Sequence, residues 1–302
     1  MGRSFDVSVV IPVYGAFSQT EMLKYVLAQW KSQTIKPEIV LSEQTPGNGK
    51  WKGIAAAVNA NYIHSSPTRS SLTFHYNIGR VRNLGIHLAH GRLIYCTDAD
   101  VMPLNNDFLE QLCKRYRPYH VYYRPFIYRI LKKTIPALLS SKCKALRSGY
   151  RGRFCYAAYK HGEISPVPEV RRTWFGWPWV CRMDEYNAEK DRNFSLNSIY
   201  QPAVHWGGTF IAKDALAKIG GFSEVYHGWG CEDNDLHFKL ASLYQMEPIG
   251  KHLKGVSMIH FEHPRYHVKT LYNANAICYS GRLRRGVLHM IQTDIKSFAQ
   301  VL

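Results

Sequence analysis

Residues Leu93 to Pro103 read LIYCTDADVMP, an apolar run that passes into two carboxylates separated by one residue. A short apolar run bounded by polar residues is the mark of a strand covered on both faces, and such strands belong to parallel sheets flanked by helices. In open parallel sheets ligands gather at the carboxyl ends of the strands, where Asp98 and Asp100 emerge. Side chains two apart on an extended chain point the same way, so both carboxylates can face one divalent cation and the anionic group it holds. A metal carrying a diphosphate suits that pair. A lone D-x-D also serves as a polar turn at the end of a strand, so the assignment depends on the rest of the chain.

The rest supplies strands and helices in alternation. Asp6–Val13 (DVSVVIPV) predicts a first buried strand, and Met22, Leu23, Val26, Leu27 and Trp30 recur at helical spacing over Gln19–Ser32. A second apolar run, Glu38–Leu41, completes a β-α-β unit. The pattern then predicts a helix over Trp51–Tyr62, a third strand over Leu72–His75, and helices over Arg80–Ala89 and Asp107–Arg117. These imply an α/β fold with an open, mostly parallel sheet flanked by helices. From Tyr119 to Tyr200 the chain turns basic and aromatic, is broken by several prolines, and reads as an insertion. Regular signals return at His205-Trp206-Gly207-Gly208, followed by a strand (Thr209–Ala212), a helix (Lys213–Ile219) and a helix over Glu232–Leu243. Gly281–Leu302 reads as a single amphipathic basic helix, suited to pack on the domain or to lie on a membrane surface.

The chain of 302 residues carries 39 Lys and Arg against 22 Asp and Glu, a formal charge of +17, so its surface field attracts nucleotide phosphates, nucleic acid or anionic lipid headgroups. Its seven cysteines are scattered without a C-x-x-C pair, which argues for reduced thiols and a cytoplasmic setting. The amino terminus enters a strand without the features of a signal peptide, and no stretch approaches the ~18 apolar residues of a membrane span. The expectation is a cytoplasmic protein that meets a membrane, if at all, peripherally.

Four segments in this order resemble nucleotide-sugar glycosyltransferases of the GT-A fold: DVSVVIPVYG (Asp6–Gly15), GRVRNLGIHLAHGRLIYCTDADVMP (Gly79–Pro103), GGTFIAKDALAKIGGF (Gly207–Phe222) and GWGCEDNDLHFKL (Gly228–Leu240). The amino-terminal half is similar to glycosyltransferase family 2. The carboxyl-terminal half is similar to the module shared by β-1,4-galactosyltransferases, polypeptide N-acetylgalactosaminyltransferases and bacterial chondroitin-type polymerases. The resemblance implies a single Rossmann-like GT-A domain with a nucleotide-binding half (1–118), a basic aromatic insertion (119–200), an acceptor-binding half (201–280) and a C-terminal helix (281–302).

The same resemblance implies roles for particular residues. Pro12, Val13 and Tyr14 contact the nucleoside, Tyr14 stacks on uracil, and Glu43 accepts a hydrogen bond from base or ribose; the family commonly has an aspartate there, where this chain reads Ser42-Glu43-Gln44. Arg80 or Arg82 lies beside the nucleotide, since a planar guanidinium pairs phosphate oxygens bidentately, and Asn83 lies at the base of the site. Asp98, Ala99 and Asp100 bind the donor through a metal, with His260 as a further ligand and His263 as its substitute. Imidazole among carboxylates and diphosphate oxygens favours Mn²⁺, with Mg²⁺ as the alternative. Gly207 and Gly208 let the backbone approach the donor closely. In Trp229-Gly230-Cys231-Glu232-Asp233, Asp233 is the base, Glu232 holds sugar hydroxyls and Trp229 stacks on a sugar face from a mobile loop. The acids equally suit a helix N-terminus, whose dipole favours negative charge.

The implied reaction is an inverting, metal-dependent transfer of a hexose or N-acetylhexosamine from a UDP-sugar to a glycan, lipid-linked or peptide acceptor. A nucleotidyltransferase would use a similar sheet and metal, but Pro12–Phe17 does not supply the glycine-rich phosphate loop with lysine that it needs. A nucleic-acid-binding module would use the +17 charge and the tyrosines among basic residues from Arg115 to Arg153, yet no recognised nucleic-acid motif accompanies them. An anionic membrane or lipid-linked acceptor accounts for the charge instead, so no nucleic-acid partner is expected. Trp174, Phe175, Trp177 and Trp179 either line an acceptor groove or form the insertion's own core.

Overall fold

The structure is a computed structural model that describes residues 6–14, 20–70, 73–130, 144–148, 155–160, 163–166, 169–174, 177–182, 203–249, 253, 256–261 and 269–300. The first half alternates as expected: β1 (Val7–Tyr14), α1 (Thr20–Lys31), β2 (Glu38–Gln44), α2 (Lys52–Ala57), β3 (Asn61–Ser65), α3 (Ile78–Leu88), β4 (Leu93–Cys96), β5 (Val101–Pro103) and α4 (Phe108–Arg115). Then come β6 (His120–Tyr123), β7 (Phe126–Ile130), β8 (Thr209–Ala212), α5 (Lys213–Lys218), α6 (Glu232–Ala241), β9 (Gln245–Pro248), β10 (Ser257–Phe261), α7 (Lys269–Arg285) and α8 (Val287–Ala299).

The main sheet has the order β9-β6-β8-β4-β1-β2-β3. Strands β3, β2, β1 and β4 are parallel, β8 runs antiparallel between β4 and β6, and β9 is parallel to β6. Period-2 alternation divides its side chains between two cores. On one face Val9, Ile11 and Val13 of β1 pack with Leu23, Leu27 and Trp30 of α1, and Trp30 meets Tyr95 at 5.2 Å and the edge of Phe108 at 5.9 Å. On the other, Val10 and Ile94 pack with Ile86, Leu216, Phe222, Leu236 and Phe298. Burial on both faces is why β1 and β4 read as unbroken apolar runs.

A second sheet carries the site's other wall. In it β10 lies between β7, to which it is parallel, and β5, to which it is antiparallel; strands 144–148, 155–160 and 163–166 extend it beyond β7.

Several elements differ from the sequence expectation. The helix expected over Trp51–Tyr62 stops at Ala57, and Asn61–Ser65 becomes β3, pairing in parallel with β2. Thr73–His75, expected as the third parallel strand, forms a small hairpin with Thr68–Ser70 instead. Edge pairing decided this: once β2 offers a free edge, the segment nearest to it takes the place. The region from 119 is not wholly an insertion, because His120–Tyr123 is an inner strand of the main sheet. Within it, 169–174 and 177–182 pair as a hairpin, while Phe175 lies outside the described residues.

The tail expected as one helix over Gly281–Leu302 is two, broken at Gly286, and the second packs on the domain through Met290, Ile291, Asp294 and Phe298. Its Asp294 joins a buried ionic cluster: Arg282 Nη2 donates to Asp294 Oδ2 at 2.6 Å, Ser223 Oγ to Asp294 Oδ1 at 3.0 Å, and Lys239 Nζ to the same carboxylate. Among the described residues no helix is long and apolar enough to cross a membrane. Replacing Asp294 with Ala leaves Lys239 and Arg282 buried with one carboxylate fewer; chemical denaturation is expected to show a loss of about 3–5 kcal/mol, and a loss below ~1 kcal/mol would mean that the cluster does not hold the tail.

Candidate active site

Asp98 leaves the carboxyl end of β4 two residues after Cys96, where Thr97 N–H still bonds to the Val10 carbonyl. A tight turn, with Val101 N–H on the Asp98 carbonyl at 3.2 Å, then carries the chain into β5. The antiparallel pairing of β5 with β10 sets His260 opposite Val101. It brings His260 Nε2 to 3.2 Å from Asp100 Oδ2 across 160 residues of sequence.

Arg82, on the buried face of α3, is the centre of the arrangement. Its Nη2 donates to Asp98 Oδ1 at 2.8 Å and its Nη1 to Asp233 Oδ1 at 3.0 Å, with Glu232 Oε1 at 3.5 Å. Its guanidinium lies over the Phe222 ring at 4.8 Å and its side chain is 2% exposed. The Asp98 carboxylate is held from the other side by His205 Nε2 at 2.8 Å. A Cβ on Gly207 would stand 2.9 Å from Asp98 Oδ2 and 3.0 Å from Arg82 Nη2, so a side chain there would press on this pair.

Glu232 and Asp233 open α6, where the helix dipole favours acids. Glu232 is buried and takes the Gly230 N–H on Oε2 at 3.0 Å, whereas the Asp233 side chain keeps 19% exposure. Burial pushes the Glu232 carboxyl up to about 7, reinforced by Asp233 and opposed by Arg82. Burial raises Asp233 as well, against Arg82. For Asp98 burial alone would raise the carboxyl, but Arg82 and His205 outweigh it and hold it below the usual carboxylate range.

The expected residues fall into two groups. Arg82, Asp98, Glu232 and Asp233 meet at one point, with Asp100 and His260 paired beside Ala99. Tyr14 ends β1 half-buried, its ring 6.4 Å from Tyr76, and burial followed by the Glu232 and Asp98 charges drives its hydroxyl far up. Pro12 and Val13 are buried strand residues. Gly208 packs on Pro125 and its carbonyl receives the Arg124 N–H at 3.0 Å. Trp229 is 47% exposed and stacks on Tyr272.

Others serve the fold. Glu43 accepts from Lys50 N–H at 2.8 Å, Trp51 N–H at 3.0 Å, Tyr62 OH at 2.6 Å and the Thr45 hydroxyl, so its lone pairs latch the 45–51 loop instead of awaiting a base. Arg80 is exposed and pairs with Glu224, whereas Arg82 is buried and spends its donors on carboxylates. Asn83 clips the 222–224 segment, donating to the Phe222 carbonyl and to Glu224 and accepting the Phe222 N–H, each at 2.9 Å. His263 lies outside the described residues.

Sequence reasoning missed His205, Trp206 and Arg124. Trp206 is 45% exposed and the Arg124 guanidinium lies 3.6 Å from its ring centroid. The H-W-G-G run just before an apolar strand was the available signal for the first two, and Arg124 had none. Among the described residues no group of three or more His, Cys, Asp or Glu is arranged to hold a metal ion by itself.

Residues 193–264 match the family described as the N-terminal domain of galactosyltransferase, a stretch that includes β8, α6, β9 and β10. Among solved structures, GalNAc-T7 with UDP, GalNAc and Mn²⁺ superposes at a TM-score of 0.51 and 14% identity, over 91% of this chain and 47% of that one. This chain thus spans about half of that protein's length. A mannosyltransferase of Pyrobaculum calidifontis with GDP-Man and Mn²⁺ gives 0.47 at 12% identity, over 98% and 73% of the two chains. The catalytic domain of Drosophila β1,4-galactosyltransferase 7 with xylobiose gives 0.41 at 16% identity, over 87% and 73%. No curated protein matches the chain by sequence. The sheet order and the superposition thus give the chain the GT-A fold, and the galactosyltransferase-type segment brings to it the acids that open α6.

Proposed function

We propose that this enzyme transfers a hexose or N-acetylhexosamine from a UDP-sugar, with inversion, in a Mn²⁺-dependent reaction. The observation that carries the reading is the convergence of Asp98, Glu232 and Asp233 on Arg82 beside the Asp100–His260 pair. The galactosyltransferase-type segment supports the donor class.

The donor atoms fit a divalent metal. Asp100 and His260 offer one carboxylate oxygen and one imidazole nitrogen already in contact, a mixed set that suits Mn²⁺ better than an all-oxygen shell, and the remaining positions fall to diphosphate oxygens and water. Asp98, whose two oxygens each already take one hydrogen bond, from Arg82 and His205, would hold the metal with its remaining lone pairs. When bound, the metal neutralises charge on the departing diphosphate.

The chain's own residues account for the rest. An acceptor hydroxyl attacks the anomeric carbon from the face opposite the diphosphate; the new glycosidic bond forms as the bond to UDP breaks, and the hydroxyl proton passes to a carboxylate. Asp233 suits that task because it is the more exposed of the two acids. Burial raises the Asp233 carboxyl, which makes it a stronger proton acceptor, and Arg82 opposes that rise, while Glu232 braces the loop through Gly230. Trp206, with Arg124 over it, and Trp229 offer exposed aromatic faces of the kind on which pyranose rings pack. Exposed Ile277 and Leu288 on the basic tail support peripheral contact with an anionic membrane, which would bring a lipid-linked acceptor to the enzyme.

A panel of UDP- and GDP-sugars, assayed with Mn²⁺ and with chelator, tests the reading: one UDP-sugar is expected to turn over, Asp100→Ala to abolish the metal dependence, and the product anomer to be inverted by NMR. No turnover of any sugar nucleotide would refute it. Asp233→Asn is expected to lower kcat by about 10²–10⁴-fold while UDP binding persists; a kcat within threefold of wild type would assign the base elsewhere.

The acid pair also sets a pH dependence. Glu232 and Asp233 share Arg82 and titrate together, so kcat is expected to fall as pH drops through about 7, and Glu232→Gln to move that limb to lower pH. Between pH 4.5, the ordinary value, and about 7 the folded protein keeps a proton that the unfolded chain has released. Raising pH through that window therefore destabilises wild type relative to Glu232→Gln, by up to roughly 3 kcal/mol. Parallel pH profiles of the denaturation midpoints would disprove this.

A further inference from the structure

The loop that delivers the acids of α6 is poorly braced from within. Gly228, Gly230 and Cys231 all have positive φ, +72°, +106° and +76°, so most of its turn lies in the left-handed region. On the sheet side its backbone is anchored through Gly228 N–H on the Tyr76 carbonyl at 2.8 Å, beside the bridge of Gly228 with Asn77.

Its other side is gripped by helix α7. Tyr272 stacks on Trp229 with ring centroids 5.7 Å apart and planes inclined by 29°, and a Cβ on Gly230 would fall 2.8 Å from the same tyrosine ring. Asn275, 5% exposed, donates Nδ2 to the carbonyls of His227 at 2.9 Å and Trp229 at 3.3 Å, and its Oδ1 accepts the His227 N–H at 3.3 Å. Tyr279 OH donates to the Asn234 carbonyl at 3.5 Å. Arg282 Nε donates to Asp235 Oδ2 at 2.7 Å, and Tyr226 OH meets the same oxygen at 2.8 Å. Positions 272, 275, 279 and 282 are spaced three, four and three apart, so they form one stripe along one helix face.

None of these four contacts is with Glu232 or Asp233, yet they bracket them. Asn275 holds 227 and 229 before the acids, and Arg282 holds 235 after them. The backbone between has little freedom once both ends are fixed. An apolar side chain at 275 would leave a buried N–H and the two carbonyls without this partner, a cost that the loop relieves by moving. Because Gly230 N–H bonds Glu232 Oε2, movement at 229–230 reaches the acid pair directly.

We infer that α7 is a clamp on the acid-bearing loop, with Asn275 as its chief positioning residue and Tyr272 and Arg282 as its flanking contacts. The catalytic part of this inference rests on the proposed transferase reading; the clamp itself does not. The clamp therefore depends on the carboxyl-terminal part of the chain, well beyond the motifs that bind the donor. Loosening it displaces the base without touching a donor contact, so kcat falls while the donor KM stays.

Asn275→Ala, Tyr272→Ala and the conservative Tyr272→Phe test this in the full chain, by amide exchange and by UDP release from a panel of UDP-hexoses and UDP-N-acetylhexosamines with Mn²⁺. In the two alanine variants exchange over 227–233 is expected to speed at least tenfold while residues 7–14, 38–44 and 93–96 exchange as in wild type. The kcat should fall by about tenfold to a hundredfold with donor KM within twofold, and the acid limb of the pH profile should shift. Tyr272→Phe keeps the ring and should behave as wild type. Unchanged loop exchange would overturn the clamp, and so would faster exchange spread equally into the strands, which is plain destabilisation. Faster loop exchange with unchanged kcat would overturn the positioning role. Wild-type protein that releases no UDP from any UDP-sugar would refute the transferase reading and, with it, the catalytic role of the clamp, leaving the exchange data to judge the clamp alone.

Discussion

One buried guanidinium holds the site together. Arg82 is removed from water, and the cost of burying its charge is offset only because Asp98 and Asp233 accept from it directly and Glu232 lies close. Those carboxylates come from the end of a strand and the start of a helix more than 130 residues later. The ion cluster thus ties the amino-terminal half to the galactosyltransferase-type segment. One positive charge against three acids leaves an excess of negative charge, and that excess, with burial, is the reason the Glu232 carboxyl rises to about 7. Within a chain of net charge +17 this is a local excess of acid.

The second dependence is geometric. His260 reaches Asp100 only because β10 pairs antiparallel with β5 in a sheet separate from the main one. The loop bearing Glu232 and Asp233 depends on contacts from α7, whose side chains share a face by helical periodicity and not by any motif. Residues that set geometry are therefore spread more widely than residues that would carry chemistry.

Much of this was legible in the chain. The apolar runs of β1 and β4, the helical spacing of α1 and the acids opening α6 are local properties, and Asp98, Asp100, Arg82, Glu232, Asp233 and His260 could be named from them and from the family resemblance. What the sequence does not supply is the partners. An arginine and a glutamate at strand and helix ends have the right chemistry to face a nucleotide. In the folded protein Arg82 spends its donors on carboxylates and Glu43 spends its acceptors on a loop. A residue type states which hydrogen bonds are available; burial decides which partner receives them.

The sequence by itself determined the alternation of strands and helices, the depth of the sheet, and the end of it at which the carboxylates appear, since hydrophobic periodicity is a short-range property of the chain. Tertiary structure alone decided that Asn61–Ser65 and not Thr73–His75 extends the sheet, that Arg82 and not Arg80 meets the acids, that His205 joins Asp98, and that the tail packs on the domain as two helices gripping a loop. Each of these choices follows from competition among distant segments for the same edge, charge or apolar face. A local pattern fixes none of them, because the winning partner lies far along the chain.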